Sequence, residues 1–267
     1  MEFWDRADVQ IEEPARTLTS ARWWRQAVVY QICPYRYGDL GGVTSRIPYL
    51  ATLGIDAVCL STFQARDGFH ELTSRLHRYG IEVIADTGPD YARFDLLEAD
   101  WDAGEFLRVI TDSLVEAQRH GAFTTWVLCG HDADLRRTRA VALLMLALPG
   151  SACLYQGEEL GLREVAEAGD IPAGLIQAQE HDPASTLSLY RQALAWRRKL
   201  QATETLEWMP GTGGQVLHFG RPGGWRSVTN FGPRAVPLPP GTVVLASAPL
   251  QAGLLAADTT AWIAPGG

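Results

Sequence analysis

Four groups of residues in this chain are of types that do chemistry. His131 and Asp132 are adjacent in GHD, directly after the apolar run WVLC. An imidazole beside a carboxylate can polarise a substrate; the plainer role is a carboxylate that caps the helix after it. Glu158 and Glu159 stand side by side in YQGEEL. Two carboxyl groups are the raw material of acid–base chemistry, although a structural turn is the commoner use of such a pair. Asp86, Asp90 and Asp95 offer a carboxylate cluster beside a short loop, with Asp90 after Pro89 reading as a solvated turn residue. The four cysteines, Cys33, Cys59, Cys129 and Cys153, each fall near the C-terminal end of an expected strand. Four thiolates hold zinc tetrahedrally. No C-x-x-C pair brings two of them together, so four buried small side chains are the reading their spacing favours. Nothing in the sequence calls for a cofactor.

These residues need elements to position them. Ala27 to Ile32, Ile55 to Leu60, Ile81 to Ala85, Thr124 to Leu128 and Ser151 to Tyr155 are short apolar runs that read as buried strands. Helices are expected between them: Ser45 to Leu53 ending at Gly54, Phe69 to Tyr79 closed by Gly80, a helix opened by the Asp102–Glu105 capping box and stopped at Gly121, and Leu135 to Leu148 stopped by Pro149-Gly150. A further helix starts at Asp182-Pro183 and runs to about Leu200. The strands are apolar throughout and alternate with helices, which predicts a parallel sheet covered on both faces. After Thr203 the chain turns Gly- and Pro-rich, with short runs such as QVLHF, WRSVTN and TVVLAS. That pattern predicts a small antiparallel β domain. The expected organisation is an arm over 1–20, an α/β region over 21–203 and a β domain over 204–267.

Composition narrows the partners. The chain has 267 residues, 23 Lys plus Arg against 31 Asp plus Glu, and a net charge of -8. Such a surface repels a phosphate backbone, so nucleic acid is a poor partner. The longest apolar run, Val141 to Leu148, is far short of a membrane span. The acidic start MEFWDRADVQIEEP has no apolar signal core, and the scattered cysteines fit a reducing compartment, so a cytoplasmic location is expected.

Several stretches resemble the α-amylase superfamily (glycoside hydrolase family 13), in particular its α-glucosidase branch. They are WWRQAVVYQICP, IPYLATLGIDAVCLSTF, YGIEVIADTGPD, FDLLEADWDAGEF, WVLCGHD and ALLMLALPGSACLYQGEELGL, in that order. The resemblance implies a (β/α)8 barrel with a retaining glycosidase site at the strand C-termini. It implies a carboxylate nucleophile, a carboxylic acid for the leaving oxygen, and a further Asp that grips the sugar. Asp132 matches the gripping Asp and His131 its companion, Asp86 matches an Asp at the end of the third strand, and Tyr30 is implied as a sugar contact with His131 and Asp132. A small sugar or glucoside is the implied ligand.

The rest of that machinery is missing from the pattern. The nucleophile's G-F-R-x-D strand motif occurs nowhere in the chain, and ADTGPDYAR runs straight into FDLLEADWD, skipping the stretch that should hold nucleophile and acid. The family's acidic D-x-N-x-D-G loop is reduced to RYGDLGG, and the G-Y-D sugar platform is replaced by FQARDGF. The expectation is a degenerate homologue without glycosidase activity, in a binding, assembly or repurposed role; a weak α-glucosidic hydrolase and a new enzyme at the old barrel mouth are the alternatives.

The gap also changes the fold. Only Gly88 to Arg93 separate the third strand from FDLL, too few for a parallel crossover. The expected fold is a reduced barrel-like parallel sheet of five to six strands, in the order TTWVL, SACLY, AVVYQI, IDAVCL, IEVIA. Its former interior face is left in need of cover, which suggests a homodimer through that face. In the family pattern Cys33 and Cys153 replace Tyr, and Cys59 replaces Trp; smaller side chains suit a narrower interior.

Overall fold

The computed structural model describes residues 23–32, 40–60, 68–85, 96, 99–127, 134–162, 171, 173–200, 205–212 and 214–266. Five strands form one parallel sheet: β1 (Val28–Ile32), β2 (Ala57–Leu60), β3 (Glu82–Ala85), β4 (Thr125–Val127) and β5 (Ser151–Tyr155). Their order is β3-β2-β1-β5-β4, the order expected from the sequence. Register follows from two-sided burial. Tyr30 pairs with Val58 and Leu154, and together with Val28 and Ile32 it faces the main core. Val29 pairs with Ala57 and Cys153 and faces the other way, in a smaller cluster of Ala27, Val29, Ala57 and Cys59 packed by Trp23 and Ile84.

That second face corresponds to a barrel interior, and it is not bare. Ala57 and Cys59 are fully buried and Val29 is only 7% exposed within one chain.

Helices cover the main face: α1 (Leu40–Ser45), α2 (Ile47–Leu53), α3 (Phe69–Arg78), α4 (Ala103–Arg119) and α5 (Leu135–Ala147). The helix expected over Ser45 to Leu53 is α2, with Pro48 in its first turn and Gly54 closing it in the left-handed region at φ 93°; α1 precedes it, separated at Arg46. Asp102 caps α4 as expected, its Oδ1 accepting from the Gly104 and Glu105 amides. The cap of α5 is Asp134, whose Oδ1 accepts from the Arg136 amide. Asp132, the other candidate for a cap, lies outside the described residues. Beyond β5 the chain forms two helices rather than one, α6 (Ala173–Glu180) and α7 (Thr186–Leu200).

A second, antiparallel sheet follows, ordered β10-β12-β8-β7-β6, with β6 (Glu207–Trp208), β7 (Val216–Gly220), β8 (Arg226–Asn230), β10 (Thr242–Ala246) and β12 (Thr259–Ala264); β9 (Val236–Pro237) pairs with β11 (Leu254–Leu255) beside it. Helix α5 lies between the two sheets. All of Ala140 to Ala147 is buried, the all-round apolar character of a core helix. Side chains of β12 reach its backbone: Thr260 Oγ1 donates to the Ala140 carbonyl at 2.7 Å and Trp262 Nε1 to that of Leu143 at 3.0 Å. Leu217, Phe219, Trp225 and Trp262 share one core cluster with the parallel strands.

The C-terminal end of α5 is held by a buried cation. Arg197 of α7, 2% exposed, donates to the carbonyls of Leu146, Leu148 and Gly150, the orphan acceptors of a helix end and the turn after it. No helix among the described residues is long and apolar enough to cross a membrane.

Candidate functional site

In a barrel-derived sheet, chemistry belongs at the carboxyl ends of the strands. Here those ends are Ile32, Leu60, Ala85, Val127 and Tyr155. The segments that follow β1 to β4 lie outside the described residues, and with them His131, Asp132, Asp86, Asp90, Asp95, Cys33 and Cys129. After β5 the chain is described without a break through the YQGEELGL turn.

This turn holds the chemistry-bearing cluster among the described residues. Gly157 and Gly161, both left-handed at φ 94° and 73°, bracket a 3₁₀ turn over Glu158–Leu160. The bend sends both glutamates inward. Glu158 is 5% and Glu159 0% exposed. Glu159 Oε1 accepts from Tyr30 Oη at 2.9 Å and from Tyr49 Oη at 2.7 Å, and its Oε2 accepts from the Gly157 amide at 3.0 Å. Glu158 Oε1 accepts from Tyr190 Oη at 2.7 Å, and its Oε2 from the Tyr155 amide at 3.1 Å. Strand β1, helix α2 and helix α7 thus each contribute one tyrosine to two adjacent carboxyl groups.

Burial is the main influence on their ionisation. It pushes Glu158 up from 4.5 to about 8; the Tyr190 hydroxyl and Tyr155 amide pull it back, and Glu159 pushes it further up. Glu159 is also raised by burial, against the pull of Tyr49, Tyr30 and Gly157. The donor sets differ. Glu159 accepts from two hydroxyls and from backbone amides, whereas Glu158 meets one hydroxyl, able to reverse its role, and one amide. Burial also raises Tyr190, with Glu158 next.

Both glutamates are buried, which suits a structural turn. Tyr30, expected at the sugar, is corrected by the same geometry. It is fully buried on the helix-covered face, where its hydroxyl donates to Glu159 and accepts from the Gly157 amide. Alternation along β1 explains this: Tyr30 lies on the face opposite Val29.

The described cysteines, Cys59 and Cys153, are buried and form no disulfide. Cys59 is in register with Gln31 and Cys153 with Val29, on opposite sides of β1. Two strand spacings, about 10 Å, separate their backbones, against roughly 4 Å between thiolates on one zinc. Among the described residues no group of three or more His, Cys, Asp or Glu could hold a metal ion. Tyr49, Tyr190 and Arg197 were not singled out in the sequence. No motif or spacing marks them, and they act only through contacts made 32 to 110 residues away. A cavity of about 500 Å³ opens at the opposite, amino-terminal end of the sheet, beside Arg25, Phe123, Gly150 and Trp208; it lies away from the strand ends where the chemistry was sought.

No protein-family model matches the chain. Among curated proteins it is 35% identical over 87 residues to a probable alpha-glucosidase of Rhizobium meliloti, covering 29% of this chain and 14% of that protein. It is 35% identical over 106 residues to an alpha-glucosidase of Pediococcus pentosaceus, covering 35% and 18%. Over these segments the chain is similar in sequence to α-glucosidases. Its solved structural neighbours agree on the fold. The trehalose-6-phosphate hydrolase of Bacillus licheniformis superposes with a TM-score of 0.71 at 12% identity, over 90% of this chain and 99% of that one. The isomaltulose synthase of Protaminobacter rubrum does so with a TM-score of 0.69 at 12% identity, over 92% and 99%. The sequence matches of this α-glucosidase-like chain span less than a fifth of either curated relative.

Proposed function

We propose that this α-glucosidase-like chain does not cleave glycosidic bonds, and that it serves carbohydrate metabolism by binding a small sugar or by assembly. One observation carries the reading. Only residues 86–102 lie between β3 at Ala85 and α4 at Ala103, and that interval contains no G-F-R-x-D motif. A retaining glycosidase needs two carboxyl groups roughly 5 Å apart on either side of the scissile bond. The adjacent pair Glu158 and Glu159 does not supply them, since both are sealed in the fold. The names of the curated relatives point to α-glucosides as the ligand class, with His131 and Asp132 as the proposed contacts.

The test is direct. The protein is incubated with an aryl α-glucoside and with maltose, and titrated with maltose by calorimetry. No turnover with saturable binding, weakened in Asp132→Asn, is the expected result. Turnover that Asp132→Asn abolishes, or a glucosyl ester trapped on any Asp or Glu, overturns the reading in favour of a weak hydrolase.

A further inference from the structure

The two glutamates of the YQGEELGL turn are buried titratable groups that no sugar chemistry uses. Their surroundings are complete enough to ask what they do instead. From the turn itself, Glu158 faces Glu159 and the Tyr155 amide; from α7 it faces Tyr190. Tyr30 of β1 and Tyr49 of α2 are spent on Glu159. Arg139 of α5 acts on Tyr190 and is itself influenced by Asp182, while its guanidinium donates to the carbonyls of Ser247 and Ala184 and to Thr186 Oγ1. From α6 the contact is neutral, Gln179 Nε2 donating to the Leu160 carbonyl at 2.8 Å, and Glu180 is paired with Arg191 at 2.7 Å. None of the contacts named for the Glu158 carboxyl is made by a cation.

A neutral Glu158 suits this site. Its own carboxyl proton can serve the 2.7 Å contact with Tyr190 Oη, the hydroxyl turning to accept. An ionised Glu158 would put a charge next to the buried Glu159 carboxyl, in a setting where no cation among the described residues is named in contact with it. The backbone around it is slight. The turn is a three-residue 3₁₀ element between two left-handed glycines, closed by the Leu160 and Leu162 amides on the Gly157 carbonyl and the Gly161 amide on that of Glu158.

We propose that the Glu158 carboxyl is the pin of a pH-sensitive latch: neutral, it fastens the 155–162 turn to α7, and its ionisation loosens that turn. The sign follows from linkage. In the opened turn Glu158 titrates near its ordinary 4.5, and in the closed turn near about 8. Closure is therefore strongest below the first value and weakens as pH rises towards the second, after which it changes no further. The latch sits immediately after β5, at the carboxyl end of the parallel sheet.

Amide hydrogen exchange of the full chain, corrected for the intrinsic rate at each pH, tests this. Protection of the Leu160, Gly161 and Leu162 amides is expected to fall roughly tenfold per pH unit between about pH 5 and 8 and then level off. It should stay below that of the β8 and β12 amides at every pH, the mark of local rather than global opening. In Glu158→Gln the fall should shrink markedly, Glu159 keeping only its own contribution. In Tyr190→Phe, which removes the α7 end of the fastening contact, protection of these amides should be lower than in the wild type already at about pH 5. A fall that persists unchanged in Glu158→Gln, or turn amides protected as well as β12, overturns the latch. Should Glu158→Gln not fold, Tyr190→Phe amides as well protected as the wild type's at about pH 5 overturn it equally.

Discussion

Arg197 offers the sharpest test of how this fold is held. Its guanidinium is buried and serves three carbonyls at the end of α5 and the turn after it. Burial lowers its proton affinity first and nearby Arg221 second, while Asp56 opposes both. Arg197→Met keeps the apolar stem and removes the fork. Each buried carbonyl left without its donor costs about 1–3 kcal/mol, and part of the sum is offset because a costly buried cation also disappears. A net loss of about 3–5 kcal/mol is expected, which at 2–4 °C per kcal/mol lowers the melting temperature by roughly 6–20 °C. Arg197→Lys separates charge from geometry. A point charge on a flexible stem does not reproduce a planar fork bonded to three separate carbonyls, so this variant should lose at least about 2 kcal/mol. Both are read by thermal and urea denaturation followed by circular dichroism. If Arg197→Lys melts with the wild type, charge alone suffices and the reasoning from the fork is wrong. If Arg197→Met loses less than about 1 kcal/mol, the three carbonyls have other means of satisfaction.

Two further perturbations probe the same framework. Gly150 stands at φ 103°, and a Cβ there would lie 2.2 Å from the Thr124 carbonyl oxygen, so Gly150→Ala should cost about 3 kcal/mol or more by strain at the entry of β5 and show as a lowered urea midpoint. Asp102→Ala removes a side chain that accepts from two amides at the start of α4; the same assay should register a loss of about 1 kcal/mol.

Much of the parallel sheet could be read before any coordinates. Its five strands are short apolar runs, and their order β3-β2-β1-β5-β4 follows from family resemblance once the missing stretch is taken out. The small residues at Cys59 and Cys153 pointed to a tightly packed interior face, and both are buried. The site was harder. Tyr30 was placed at the sugar because resemblance assigns positions without assigning faces, and the strand's alternation sends this side chain among the helices. The Glu158–Glu159 turn was visible as a motif, but Tyr49 and Tyr190, which contact it, come from distant helices and carry no local signal. The helix over Ala173–Glu180 was not foreseen because the IPAGLIQAQE stretch has no strong apolar stripe. The helix from Leu135 is capped by Asp134, the residue immediately before it.

Helix α5 has one more consequence. Both sheets lean on it, and the second is fastened to its peptide carbonyls by Thr260 and Trp262. A cut near residue 203 would therefore not release two free-standing halves. The N-terminal piece would be left with a greasy rod open to water and the C-terminal piece with orphaned indoles, and each would be expected to precipitate when expressed without the other.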